Sequence, residues 1–551
     1  MEPCSTLNAF IAQSVRENWD HQALTDFDGP TYSYRDVARK VAKLHILFNH
    51  AGLVQGDKIA ICGRNSSHWA IVAIASLTYG TVAVPILHDF KAETVHNLVC
   101  HSEAKLLFTD TQTWENLDHE HMPHIKGVLQ VSDYSLIYSR NKQLTEAREK
   151  LNRFYGEKYP ERFTPADVDY PDFEPSQLAV INYTSGSMGF SKGVMLSYNN
   201  LWSNIQYSID GLSFLKPGDG TVCMLPLAHM FGFAIEMLHP FVKGCNINFL
   251  TRTPSPRIIM EAFAKVHPKL VITVPLVIEK IIRTRVFPML DKPLMKVLMA
   301  VPVVNTKLLE KIRTKLIDSF GGNLLELIVG GAPLNKDVEA FLRRIKFPYT
   351  IGYGMTECGP LISYAPWNVN RAGSCGRLVD RMEARIDSPD PLNTPGVLWV
   401  RGQNVMQGYF KNPEETKAVF DSDGWMRTGD VAQTDADGFL YLRGRDKSMI
   451  LGPSGQNIYP EEIEQILNNQ PYVAESLIVE RDGKLFALIH PDMEAAQKAG
   501  LDNAALAKQM NENIKELNSR LPGYSQVSGS KLFEEEFEKT PKHSIKRYLY
   551  Q

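Results

Sequence analysis

The sequence predicts an α/β protein: a large N-terminal domain of parallel sheets layered with helices, followed by a small α+β C-terminal domain. Three observations carry this. Short apolar runs of strand length alternate with helical patterns through the first part of the chain, as parallel strands covered on both faces do. The chain has 551 residues, more than one typical domain, so two or three are expected. From about Lys447 the pattern changes to a helix start, a hairpin and a long amphipathic helix, enough for a core of its own.

The elements follow in order. Tyr32-Ser33-Tyr34-Arg35-Asp36 opens a helix with apolar positions at Val37, Val41 and Leu44. Residues 58–62 read as a buried strand, 71–77 as a buried helix and 81–87 as another strand. Residues 139–175 are polar and contain several prolines, which reads as a solvated helix and a long surface loop. A strand then runs into a glycine-rich loop around Gly186. After it, Ser197 can cap a helix whose stripe is Leu201, Ile205 and Ile209. In the C-terminal part Pro460 suits a first helical position, with Glu461 and Glu462 facing the helix dipole. Residues 475–480 and 485–490 are strands joined around Asp482-Gly483, a hairpin signal. Leu506, Met510, Ile514, Leu517 and Leu521 form a helix stripe stopped by Pro522-Gly523.

Composition narrows the function. A hydrophobic share of 44% and a charged share of 22% are ordinary for a soluble globular protein. A formal net charge of -3 gives no electrostatic case for nucleic acid. The seven cysteines are scattered, without paired metal-ligand spacing, which favours a reducing, cytoplasmic setting. The N-terminus lacks a signal pattern, and no apolar run is long enough to span a bilayer. A peripheral membrane contact stays compatible with these features.

Chemistry concentrates in a few blocks. Tyr183-Thr184-Ser185-Gly186-Ser187-Met188-Gly189-Phe190-Ser191-Lys192-Gly193 combines turn-forming glycines, three hydroxyl donors at Thr184, Ser185 and Ser187, and the Lys192 charge. That set suits a polyphosphate. It is not the usual nucleoside-triphosphatase loop, because no Ser or Thr follows the lysine and the glycine spacing differs. Gly352-Tyr353-Gly354-Met355-Thr356-Glu357 offers a tyrosine face for a base, a hydroxyl for phosphate and a carboxylate for Mg²⁺. Further blocks are Pro226-Leu227-Ala228-His229-Met230-Phe231-Gly232, Gly330-Gly331-Ala332-Pro333-Leu334, Trp425-Met426-Arg427-Thr428-Gly429-Asp430 and Gly444-Arg445-Asp446-Lys447.

These blocks, in this order and from about Asn8 to Arg547, resemble the signatures of adenylate-forming enzymes: acyl-CoA synthetases, luciferases and peptide-synthetase adenylation domains. The resemblance implies an N-terminal AMP-binding domain at 1–444 and a mobile C-terminal domain at 445–551, with a hinge near Asp446. It implies that Tyr183, Thr184, Ser185, Gly186, Ser187, Gly189 and Lys192, together with Met355 and Thr356, bind the nucleotide, with Thr184, Ser185 and Thr356 on its phosphates. Gly331, Ala332, Pro333, Tyr353 and Gly354 would border the adenine. Asp430 would accept from the ribose hydroxyls, with Arg445 near it. Glu357, helped by Thr184, would hold Mg²⁺, and His229 would lie near the substrate carboxylate.

The implied activity is ATP-dependent ligation of a carboxylic acid to coenzyme A through an acyl-adenylate, with release of AMP and pyrophosphate. Amino-acid-activating relatives usually place an aspartate directly after the aromatic residue; here Gly232 follows Phe231, which favours an acid without an α-amine. The Asn457-Ile458-Tyr459-Pro460 wording is like that of fatty acyl-CoA synthetases. Two readings stand beside this one: transfer of the acyl group to a carrier-protein thiol, and a catalytically weak nucleotide-binding homologue. The second arises because Ser544 stands where the family carries a lysine that supports adenylation. Lys542 and Lys546 flank it and are the candidate substitutes.

Overall fold

The computed structural model describes residues 6–185, 191–252, 255–451, 457–481, 484–539 and 545–550. It forms two compact units: Met1–Glu383 with Arg401–Gly424, and Ala384–Val400 with Trp425–Gln551.

The first unit is built on an eight-stranded mixed sheet. At its centre Lys58–Cys62 lies between Val82–Ile86 and Ala104–Thr109, all parallel. The connecting helix Ser67–Tyr79 starts on a Ser66 side-chain cap. Almost every residue of it is buried, as expected of a helix apolar on all sides. The helix that Tyr34 opens runs to His50, with a capping box between Ser33 and Asp36. At one end of the sheet, Leu178–Ser185 pairs antiparallel with Ser191–Ser197, which pairs antiparallel with the short strand Gly408–Tyr409. The glycine-rich block is thus a hairpin, where the sequence pointed to one strand and a loop.

A second, parallel sheet of the same unit places Leu270–Thr273, Glu326–Val329 and Tyr349–Ile351 side by side. Its middle strand runs into Gly330-Gly331 and its third into Gly352-Tyr353. Both candidate blocks therefore leave the carboxyl ends of neighbouring parallel strands, the usual ligand position in α/β sheets.

The second unit holds most of the antiparallel sheet Met382–Asp387, Gly396–Gly402, Met426–Thr434 and Leu440–Arg445. It also holds the three strands Val473–Arg481, Lys484–Pro491 and Val527–Leu532. Helices Pro460–Leu467 and Asn503–Arg520 cover the latter through Ile463, Leu467, Leu506, Met510, Ile514 and Leu517. The sequence puts the domain boundary at 444/445. Compact packing assigns 384–400 and 425–444 to the C-terminal unit as well, because their strands hydrogen-bond in one ladder that runs on to Arg445. Among the described residues no helix is long and apolar enough to cross a membrane.

Candidate active site

Ladder register explains how the first block presents its side chains. Thr184 lies directly opposite Lys192, and Tyr183 opposite Gly193. Successive side chains alternate between faces, so Thr184 and Lys192 share one face and Tyr183 takes the other. There the Tyr183 ring is buried in the sheet's core, its hydroxyl 2.7 Å from His101 Nδ1. Its ring therefore faces away from the side that Thr184 and Lys192 share. Gly186, Ser187 and Gly189 lie outside the described residues, as does the Ser185 side chain.

Contacts between side chains and backbone join the blocks into one closed circuit. Asn182, on the face of Thr184, donates from Nδ2 to the Ala228 carbonyl at 2.8 Å, beside half-buried His229. Phe231, two positions on, lies against Gly330: a Cβ there would come within 2.9 Å of its ring. The Gly352 amide donates to the Val329 carbonyl at 3.0 Å, tying the Gly330 and Gly352 turns together. Half-buried Thr356 and Glu357 follow on a short turn, and the Tyr409 hydroxyl donates to Glu357 Oε1 at 3.0 Å. The Lys192 ammonium sits over the Tyr409 ring, 5.0 Å from its centre, and is paired with Glu415. The circuit closes from Lys192 to Thr184 across the hairpin.

The helix that Ser197 caps, Tyr198–Gly211, braces this circuit from behind. Leu201 and Ile205 are buried, and Asn200 and Asn204 carry the polar work. Asn204 donates to the Cys358 carbonyl at 3.1 Å and accepts the Leu361 amide at 2.9 Å, fixing the chain just after Glu357. Asn200 donates to the carbonyls of Gln403 and Val405 at 2.8 and 2.9 Å, fixing the chain just before Tyr409. Burial first, and then the Glu357 and Glu415 carboxylates, raise the Tyr409 phenol far above its ordinary value. It therefore stays protonated and remains a donor.

The segment around His229 is pinned more tightly than the sequence suggests. Phe231–Leu238 is a π-helix, a form found often at functional positions. Gly232 has no room for a side chain: a Cβ would fall 2.5 Å from the Pro226 carbonyl oxygen. No aspartate can stand there without moving the loop. Glu236 is fully buried and accepts the Leu225 and Met224 amides at 2.7 and 3.1 Å. Burial pushes its carboxyl up to about 8, against the lowering effect of those amides. Between about pH 4.5 and 8 the unfolded chain releases a proton that the folded chain keeps, so stability falls as pH rises, by up to about 1.4 kcal/mol per pH unit. Glu236→Gln removes that dependence. The melting temperature of the variant relative to the parent is expected to climb from pH 5 to 8 and then level off. A difference that stays flat would show that Glu236 ionises normally.

Adenine-side candidates Gly331, Ala332 and Pro333 are exposed, with Gly331 at φ +83°. Tyr353 is only 8% exposed, so little of its ring is free for stacking; Gly354 beside it is exposed, and Met355 is half-buried. In the second unit, Asp430 and Arg445 are opposed in register and joined by a 2.9 Å ion pair. Asp430 is buried while the Arg445 side chain is 55% exposed. Asp446 pairs with Arg427 at 2.5 Å. At the far end, the Lys546 ammonium is 3.2 Å from Glu538, and Lys539 and Ile545 form a bridge. Lys542 and Ser544 lie outside the described residues.

The donor set suits a small hard cation shared with phosphates. Among the described residues no cluster of three or more carboxylate, His or Cys ligands exists. Glu357 contributes one carboxylate, with one oxygen on Tyr409. Mg²⁺ characteristically takes one or two carboxylates and fills its shell with phosphate oxygens and water. Sequence reading missed Tyr409, Glu415, Asn182 and Glu236. The Gly408-Tyr409 pair followed by the Asn412-Pro413-Glu414-Glu415 helix start was a legible signal for the first two. Nothing in the sequence pointed to the others.

Comparison with known proteins identifies the family. Residues 11–410 match the AMP-binding enzyme model, and residues 447–550 match the AMP-binding enzyme C-terminal domain. The chain is 28% identical over 523 residues to a long-chain-fatty-acid–CoA ligase of Mycobacterium bovis, covering 88% of this chain and 82% of the relative. It is 25% identical over 492 residues to 4-coumarate-CoA ligase 1 of Narcissus pseudonarcissus, covering 86% and 81%. In fold it is similar to the ATP-bound crystal structure of MatB from Rhodopseudomonas palustris, with a TM-score of 0.76, 22% identity and coverage of 99% and 98%. The matched models span most of the chain, and the protein belongs to the AMP-binding enzyme family.

Proposed function

We propose that this protein is an ATP-dependent ligase that joins a fatty acid to coenzyme A through an acyl-adenylate. The observation that carries the reading is the closed circuit from Thr184 and Lys192 through Tyr409 and Glu357 to Gly330 and His229. It groups hydroxyls and a cation for a triphosphate, a carboxylate for a metal ion, and a histidine beside an apolar segment. A carboxylate oxygen attacks the α-phosphorus, the bond to the β-phosphate oxygen breaks, and pyrophosphate leaves. A thiolate then attacks the acyl carbon and AMP departs. Both partners of the first step are anions, so the protein's task is to place and neutralise charge. Lys192 and the hairpin hydroxyls meet the phosphates, Glu357 and Thr184 hold Mg²⁺, and Asp430 takes the ribose. Mg²⁺ bound there supplies further neutralisation of the triphosphate.

The fatty acid assignment rests on Gly232, which leaves no place for a counter-ion to an α-amine, and on the apolar Phe231–Leu238 helix that follows His229. The test is a panel of acids supplied with ATP and either coenzyme A or a carrier protein. Consumption of coenzyme A with fatty acids supports the assignment; acylation of the carrier alone moves the activity to the transferase reading. Binding of nucleotide without pyrophosphate release with any acid would mean a catalytically weak homologue.

The same reading needs a cation at the α-phosphate, where Ser544 replaces the family's lysine. Lys542 and Lys546, two residues away on either side, are the candidates to supply it; Lys546 is paired with Glu538. Lys542→Ala is expected to slow pyrophosphate release by about tenfold or more. Thioester formation from preformed acyl-adenylate, where no second anion has to approach, should change much less. Equal loss in both steps would remove Lys542 from that role. Rotation of the C-terminal domain at Asp446 between the two steps belongs to this proposal.

A further inference from the structure

We infer that Tyr409 is a positioning residue that aims the Glu357 carboxylate at the metal ion while its ring carries the Lys192 ammonium. The inference rests on the nucleotide-site reading above and deepens it.

Tyr409 is held on three sides. Its strand pairs with the hairpin, Tyr409 opposite Val194, and the next amide, of Phe410, donates to the Gly193 carbonyl at 2.7 Å. Its own amide donates to Thr416 Oγ1 at 2.9 Å, and that hydroxyl donates to the Asn412 carbonyl at 2.8 Å, which locks the strand to the helix Pro413–Val419. Glu415 on the same helix pairs with Lys192. One rigid piece of chain therefore touches the cation of one signature block and the carboxylate of the other.

The two contacts use different parts of one side chain. The hydroxyl donates to Glu357 Oε1 and so turns the other carboxylate oxygen away from Tyr409. The ring face attracts the ammonium without consuming its hydrogen-bond donors, one of which goes to Glu415. Groups that orient a metal ligand from behind typically matter about 10- to 100-fold for metal affinity. Substitutions can remove the hydroxyl alone or the hydroxyl and ring together.

The experiment is Mn²⁺ titration followed by electron paramagnetic resonance, with ATP present and no acid, alongside ATP binding without metal and thermal melting. Tyr409→Phe keeps the ring and loses the hydroxyl. It is expected to weaken Mn²⁺ binding about tenfold or more, with metal-free ATP affinity and melting temperature held. Tyr409→Leu loses both parts and should weaken metal-free ATP binding as well. Unchanged Mn²⁺ affinity in a folded Tyr409→Phe protein overturns the inference. So does a Phe variant that loses metal-free ATP binding as fully as the Leu variant, since that marks a structural role only. If the parent protein itself binds no Mn²⁺ with ATP, the nucleotide-site reading fails first.

Discussion

Glu357→Ala is expected to cut acid-dependent ATP–pyrophosphate exchange by about a hundredfold or more, the scale for losing a preorganised electrostatic group. Glu357 offers the carboxylate of the circuit, on a turn held from behind by Asn204 and from one side by Tyr409. Its replacement removes the fixed negative charge that a cation needs to sit against the phosphates. The side chain is half-buried, and the Tyr409 hydroxyl left behind is a neutral group. The variant should therefore fold, and circular dichroism and melting should be near those of the parent. Raising the Mg²⁺ concentration should recover part of the exchange, because weak metal binding can be driven by mass action. Exchange close to that of the parent would take Glu357 off the list of metal ligands.

Asp430→Ala is expected to raise the Michaelis constant for ATP by about ten- to a hundredfold and to lower turnover. A carboxylate accepting from two ribose hydroxyls makes two charge-assisted bonds, each contributing roughly 1.5–3 kcal/mol. Part of that is already committed, because Arg445 holds the same carboxylate at 2.9 Å. Removing Asp430 does not strand a buried cation, since the Arg445 side chain is 55% exposed. The loss should consequently appear in nucleotide binding and rate more than in stability. A variant with unchanged ATP dependence would show that Asp430 serves only the Arg445 pair.

How much of this was readable without coordinates differs by the kind of signal. Elements with a clear apolar signal were legible: continuous apolar runs mark the Ser67–Tyr79 helix and the Lys58–Cys62 strand, and a periodic stripe marks the Asn503–Arg520 helix. The hairpin was legible only in its first half. Ser191–Ser197 starts with serine, lysine and glycine, and so lacks a clean strand pattern; it is held as a strand by neighbours on both sides, Leu178–Ser185 and Gly408–Tyr409. Which face Tyr183 takes was not legible, because sequence gives composition whereas the face depends on register. The His229, Glu357 and Asp430 blocks were picked out by their resemblance to family signatures, and their roles belong to the proposal. Glu236 was not: a glutamate inside an apolar run carries no mark that its carboxylate will cap two amides of a distant loop. The same holds for Asn182, whose partner is a carbonyl 46 positions away.

The central claim is that an oxygen of the acid attacks the α-phosphorus of ATP. Its most direct test is one turnover with a fatty acid labelled with ¹⁸O at both carboxylate positions, supplied with ATP and coenzyme A, and mass analysis of every product. Attack at the α-phosphorus yields AMP carrying one ¹⁸O, a thioester carrying the other, and unlabelled pyrophosphate. Unlabelled AMP, or release of ADP with a labelled phosphate, would contradict it.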